Sequence, residues 1–395
     1  MFKSGSTKLV KNLNQQHILN LVRIHPGISA TFLKEKTNLQ MSTVLYTLKV
    51  LMGEGIVKEI GYGNSTVNGG KPPVLWDLVA DYGLIFGMEL LSSEARLVLL
   101  NIKGEVKYKN IFPIQLSSDP NVIANQIKDI VKKVQTKLHI LDNRILGFGI
   151  GIPGTIDNEN GIINYSYALD FHNVDFCKIL SDSFPFHIEI DNDANVGVLG
   201  VKWLDKEEYM TRHILYLSIN KNFPSIGSGF LFDHKIYRGI NSAAGEIQSF
   251  IAKSMWNRIL NKAFKKFGVD CFDNIKLNND KVITQSIIIE QAKMGNMASI
   301  FILKEVGKEL SNKIVELVNL LNPEVVVIGG DISEAEEFIA PIIKERVASK
   351  VISEVVKNTP IKFSPMGVYS GAIGGSALIL KKYFTDNGFK IENRK

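Results

Sequence analysis

The 395 residues predict an α/β protein, with a small helical unit at the N-terminus followed by a larger two-lobed body. Three observations carry that prediction. Apolar residues at helical spacing fill residues 14–52, and strand-like alternation begins only after them. From about residue 81 the elements run β-β-β-α-β-α-β-α, and that order occurs twice, with extra helices the second time. The net charge of +6 is localised: residues 1–76 hold nine Lys or Arg against three acids, and the rest of the chain is neutral.

Composition excludes several classes. With 45% hydrophobic and 22% charged residues the chain is not wholly disordered. No apolar run approaches the roughly 18 residues that span a bilayer, and the polar stretch Met1 to His17 lacks the apolar centre of a secretory signal. The two cysteines, Cys177 and Cys271, are far apart and form neither a disulfide framework nor a CxxC zinc pair. The seven histidines show no i, i+4 pairing. A cytoplasmic protein with no cofactor, no bound metal and no membrane partner is the expectation.

In the N-terminal unit, Asn14 to Ile24 reads as a helix stopped by His25-Pro26-Gly27. Ser29 is placed to cap a second helix reaching about Thr37, with Phe32 and Leu33 inward. A third helix runs from about Ser42 to Met52, with Val44, Leu45, Leu48, Leu51 and Met52 on the buried side and Gly53 and Gly55 ending it. Ile56 to Tyr62 and Val74 to Val79 alternate as strands around a tip rich in Gly, Asn and Ser. Three helices and a hairpin form a winged helix-turn-helix, in which the third helix enters the DNA major groove. The local +6 suits a nucleic acid, although a solvated basic face would carry the same charge. Gln40, Ser42, Thr43, Tyr46, Thr47 and Lys49 are expected to be exposed on or just before that helix, with Lys71 at the wing. Gln pairs bidentately with adenine; without an Arg on the helix, guanine readout is expected to be weak. Tyr46 packed on its helix and Lys49 merely solvated remain the alternative.

In the body, strands are expected at Leu84 to Leu90, Ala95 to Ile102 and Glu105 to Ile114, then a helix at about 121–138. Ile145 to Ile150 leads into Gly151-Ile152-Pro153-Gly154; a short helix (174–181), the strand His187 to Ile190 and a helix to about Trp203 complete the first pass. The second pass has strands at 214–219, 229–233 and 235–237, helices at 256–267, 284–292 and 298–321, the strand 324–328, a helix at 335–348, the strand 361–364 and a last helix at 370–383. Such halves enclose a cleft. The expected domains are residues 1–80, 81–200 and 201–395, with the last helix free to return to the first lobe.

Motifs along nearly the whole chain resemble the ROK family (repressors, open reading frames, kinases) in its repressor form. They are Asn14-Gln15-Gln16-His17-Ile18-Leu19, Ser42-Thr43-Val44, Gly69-Gly70-Lys71-Pro72-Pro73, Gly149 to Gly154, Asn192-Asp193-Ala194-Asn195, Tyr237-Arg238-Gly239, Ala244-Gly245-Glu246 and Val327-Ile328-Gly329-Gly330, in the family's order. The resemblance implies a two-lobed actin-like, sugar-kinase-like body (a duplicated ribonuclease H-like fold). It implies a sugar site at Gly154, Asn192, Asp193 and Glu246, with Asp193 matching the family's catalytic base. A helix-capping carboxylate would explain Asp193 equally.

Other family features are missing. Where the family has Asp-x-Gly-Gly-Thr this chain has Glu89-Leu90-Leu91-Ser92-Ser93, so side chains fill the space a phosphate would approach. The second phosphate loop falls near Pro224-Ser225, where proline removes an N–H donor. The zinc-binding His position is Ser249, and no cysteine cluster follows it. The expected function is a DNA-binding repressor of carbohydrate-metabolism genes, responsive to a monosaccharide or sugar derivative, without kinase activity. It would act as a homodimer or homotetramer on operator DNA. A sugar kinase of the family, and a ligand-independent DNA-binding scaffold for oligomerisation, are the rivals.

Overall fold

The structure is a computed structural model and describes residues 7–64, 71–205, 207–208, 210–220, 226–247, 253–268, 271, 284–352 and 357–385. The N-terminal unit comprises α1 (Thr7–Ile24), β1 (Ile28–Ser29), α2 (Ala30–Thr37), α3 (Met41–Gly53), β2 (Val57–Tyr62) and β3 (Val74–Leu78). Helix α1 starts seven residues before the expected Asn14. Ser29 caps α2 as expected, its Oγ accepting from Phe32 N–H at 3.2 Å. Asn38, in the left-handed region at φ 55°, ends α2. The hairpin gains β1 as a third strand, so the antiparallel order is β1-β3-β2, with Ile28 opposite Trp76.

Two expectations on α3 are corrected. Leu45 (40%) and Met52 (43%) are exposed, while Thr47 is buried. At about 100° per residue, Val44, Thr47, Leu48 and Leu51 share one stripe, and Leu45 and Met52 fall about 90–110° from its centre. Three helices this short have a core only one stripe deep, built from Ile18, Val22, Leu33, Val44, Leu48 and Leu51.

The first lobe contains β4 (Leu84–Leu90), β5 (Glu94–Asn101), β6 (Val106–Pro113), α4 (Pro120–Leu138), β7 (Ile145–Ile152), β8 (Thr155–Asp157), β9 (Ile162–Ser166), β10 (Phe171–Asp175), α5 (Phe176–Ser181), β11 (Ile188–Asn192) and α6 (Asp193–Leu204). The second contains β12 (Ile214–Ile219), β13 (Ile226–Phe232), β14 (Lys235–Ile236), α7 (Lys253–Phe267), α8 (Gln285–Lys293), α9 (Met297–Leu321), β15 (Val325–Gly329), α10 (Glu336–Lys350), β16 (Ile361–Phe363) and α11 (Ser370–Thr385). The sheets run β11-β7-β4-β5-β6 and β14-β13-β12-β15-β16. In each lobe the first three strands are antiparallel, and the fourth and fifth extend the sheet in parallel from the first strand's other edge. The duplicated order of elements is therefore a duplicated topology.

The small sheet β8-β9-β10 was not anticipated; its strands are three to five residues long and interrupted by turns. Helix α11 follows β16 in the chain but packs on β4 and β7 of the first sheet and along α6. Glycines make that approach possible: a Cβ on Gly149 would lie 1.8 Å from Gly375 O, and one on Gly87 2.1 Å from Ala372 O. The far end of α11 (Ile379, Leu380, Tyr383, Phe384) joins Ile18, Val22 and Ile85 in a single core, which seats the N-terminal unit on the body. Lys103 adds an ion pair to Asp77 at 2.6 Å. Among the described residues no helix is long and apolar enough to cross a membrane.

Candidate functional site

The end of β11 and the start of α6 carry the first group of candidate residues. Asn192 caps α6, its Oδ1 accepting from the N–H groups of Ala194 (2.9 Å) and Asn195 (3.2 Å). Its Nδ2 donates to Gly154 O at 2.9 Å, which brings together two of the sequence-predicted residues. Gly154 needs to be glycine: φ is +128°, and a Cβ would meet Tyr165 O at 2.2 Å. Asp193, partly buried, accepts from Ala194 N–H at 2.9 Å, so it shares the capping role. Burial pushes its carboxyl up to about 6, against that hydrogen bond and with help from the charge of Glu246. Glu246, at the open rim, is itself raised by loss of water. Gly227 on β13 lies next to this turn: a Cβ there would sit 3.3 Å from Ala194 Cβ.

Asp191, fully buried beside them, accepts from Asn195 Nδ2 at 3.1 Å and is paired with Arg238 of the second lobe. Asp193 of the first lobe thus feels the charge of Glu246 from the second. The set offers carboxylates, an amide and a carbonyl to hydroxyl groups, and a carboxyl that changes charge near neutrality.

A second buried group is built around Arg96. Arg96 on β5 has no exposed surface. Its guanidinium forks onto Asp331 (2.9 and 2.7 Å), donates to Val368 O (2.8 Å) and Asn220 Oδ1 (3.3 Å), and pairs with Glu94 (2.9 Å). Asn220 Nδ2 donates to Glu89 Oε1 at 2.9 Å. Burial raises the Glu89 carboxyl to about 7 even though Arg96 pulls it down. This knot ties β4 and β5 of the first lobe to the segments after β12 and β15 of the second.

On the N-terminal unit, Gln40, Ser42, Tyr46, Lys49 and Lys71 are exposed and Thr43 is half-buried. Thr47 leaves the candidate face because it is buried. Tyr46 is tethered, its hydroxyl accepting from Lys11 Nζ at 3.3 Å while the ammonium lies 5.3 Å from the ring centre. Lys49 borders a cavity of about 330 Å³ walled by Met41, Leu45, Met52, Pro73 and Trp76. This cavity explains how Leu45 and Met52 can be apolar yet accessible.

Residues 86–382 match the sequence profile of the ROK family. The chain belongs to the ROK family. A xylose repressor of Caldicellulosiruptor bescii is 28% identical over 396 residues, covering 95% of this chain and 97% of that protein. A solved ROK family transcriptional regulator, described as a homolog of the E. coli MLC protein, superposes with a TM-score of 0.75 at 18% identity, covering 95% of this chain and 97% of that one. A ROK family glucokinase from Streptomyces griseus, in complex with glucose and AMPPNP, superposes with a TM-score of 0.64 at 15% identity, covering 75% of this chain and 99% of that one. These structural likenesses show a shared sugar-kinase-like fold.

Of the residues in the ROK motifs, the structure bonds Asn192 to Gly154 and sets Asp193 beside them, within reach of the charge of Glu246. The positions Glu89, Asn220 and Asp331, which border the motifs read as phosphate sites, lie around Arg96 instead. Sequence reasoning missed Arg96. Its signal was a lone cation inside the apolar run Ala95 to Ile102. It also missed the pair between Asp191 and Arg238, each of which stands inside or beside a quoted motif. Gly69, Gly70, Pro224, Ser225 and Ser249 lie outside the described residues. Among the described residues no group of His, Cys, Asp and Glu could hold a metal ion.

Proposed function

We propose that this ROK-family chain is a DNA-binding repressor of carbohydrate-metabolism genes that responds to a monosaccharide and performs no phosphoryl transfer. One observation carries the reading: a basic three-helix unit, whose third helix exposes Ser42, Tyr46 and Lys49, is joined to a ROK body in which Glu89, at the position of the first phosphate motif, is tied into the buried Arg96 knot. Similarity along 95% of the chain to a protein named a xylose repressor supports it.

In this reading residues 1–80 form a winged helix-turn-helix, 81–200 the first lobe and 201–395 the second, with α11 returned to the first. Helix α3 enters the major groove; Gln40, Ser42, Thr43 and Tyr46 approach base edges, and Lys49 and Lys71 approach phosphates. Sugar hydroxyls bond Asn192, Asp193 and Glu246, with Gly154 lining the same pocket. Ligand shifts the population between lobe arrangements and so changes the spacing of two winged helices in a cytoplasmic homodimer or larger oligomer.

The test is selection of genomic fragments by the purified protein at about 0.15 M salt, where non-specific binding is reduced. Recovery of a few sequences with paired half-sites, released by D-xylose or another monosaccharide tried in turn, is the expected result. Random fragments, or sugar-dependent release of ADP from ATP, would overturn the reading.

A further inference from the structure

One helix runs from the candidate sugar residues to the N-terminal unit. The N-terminus of α6 carries Asn192 as its cap and Asp193 as its first residue, the two residues proposed to bond sugar. Its other end, about 18 Å away at 1.5 Å per residue, is held by the N-terminal unit. Arg23, in the last turn of α1, donates from Nη1 to Trp203 O at 3.1 Å, and its guanidinium lies 4.5 Å from the Trp203 ring centre and 5.4 Å from that of Phe384. Arg23 Nε also donates to Asn20 Oδ1 at 3.2 Å, which fixes the fork's direction from α1. A cation at the carbonyl end of a helix satisfies a free acceptor and suits the helix dipole. Residues 180 apart in sequence therefore meet where one unit is seated on the other.

The helix between these ends is poorly suited to absorbing displacement. A Cβ on Gly197 would lie 2.1 Å from the Tyr216 ring, and one on Gly374 of α11 would lie 2.0 Å from Val196 O, so α6 is locked backbone-to-backbone on its neighbours. Close-packed interiors transmit strain instead of deforming gradually. Beyond Arg23, α1 packs on α3, and Lys11 bonds Tyr46 on the exposed face of that helix.

We propose that α6 is the rod through which the sugar cleft and the DNA-binding unit are coupled, with Arg23 as the positioning residue at its far end. The inference rests on the repressor reading for what the two ends bind. Occupation of the cleft displaces the α6 N-terminus; the displacement arrives at Trp203, where the stacked and hydrogen-bonded Arg23 either holds α1 or releases it. By linkage, operator binding acts back on sugar affinity through the same contact.

The experiment uses the full-length protein, D-xylose and an operator fragment from the selection above. In the wild type, D-xylose is expected to weaken operator binding by a factor within the usual range of about 5- to 150-fold. Arg23→Gln should reduce that response to about 2-fold or less while xylose affinity without DNA changes by no more than about 2-fold, and Arg23→Lys should restore part of it. A full response in Arg23→Gln overturns the proposal. A second arm needs neither sugar nor DNA. Asp193→Asn should alter amide hydrogen exchange at residues 200–204 and in α1, and adding Arg23→Gln should abolish the change in α1 only. Changes confined to residues 191–196 overturn the rod, whereas a wild type that ignores the sugar overturns the functional reading and leaves the exchange result to decide this one.

Discussion

Glu89 and Asp193 are acids that folding makes weaker. Burial lifts Glu89 to about 7 and Asp193 to about 6, from ordinary values of 4.5 and 3.8. The folded chain then binds protons more tightly than the unfolded chain. Their contribution to stability is complete below the unfolded values and is lost as pH rises through about 6 to 7. Glu89→Gln keeps an acceptor for Asn220 but removes the titration. Thermal melts at pH 5 and pH 8 should differ less in this variant than in the wild type, by an amount worth about 1–3 kcal/mol. An unchanged difference would mean that Glu89 stays ionised beside Arg96. The same residues show what sequence order can and cannot reveal. Asn192, Asp193 and Glu246 stand in short motifs, so local order alone singles them out as candidates. Arg96 has its strongest partner 235 positions away, at Asp331, and no pattern along the chain connects the two.

At the scale of elements, burial on both faces made the strands legible: β7 and β15 read as unbroken apolar runs because both are fully buried. The short strands β8, β9 and β10 have no such run, and they were missed although they supply the Tyr165 carbonyl that confines Gly154. Helical periodicity on α3 was read one residue too generously at Leu45 and Met52. The contact between α6 and α11 gives a sharper expectation. Gly374→Ala places a methyl carbon 2.0 Å from Val196 O, far inside contact distance, so the helices must separate. The expected loss is about 1–3 kcal/mol or more by urea denaturation. The response of operator binding to sugar should fall as well, since the seat of the N-terminal unit shifts with α11.

For the molecule as a whole, the division of charge is the controlling feature. The basic excess lies in the first fifth of the chain, and the body behind it is neutral. Attraction to a polyanion is therefore local to the N-terminal unit. Lys49→Ala and Lys71→Ala should each weaken binding about equally across sequences and lower the slope of log affinity against log salt by about 1. Gln40→Ala should instead alter preference at one base pair by about 1–3 kcal/mol. Slopes unchanged in both lysine variants would place DNA elsewhere on the molecule.

The route of α11 has a consequence for how the protein comes into being. The helix that covers the first sheet and seats the N-terminal unit is made more than 200 residues after β7, the strand it packs on. Through most of synthesis the first lobe waits with its apolar sheet face uncovered, a long-range contact that closes late and is exposed to aggregation meanwhile. A polypeptide released before residue 370 would own its three N-terminal helices but not their seat. Translation that stops early therefore does not yield a partial repressor that holds operators while deaf to sugar.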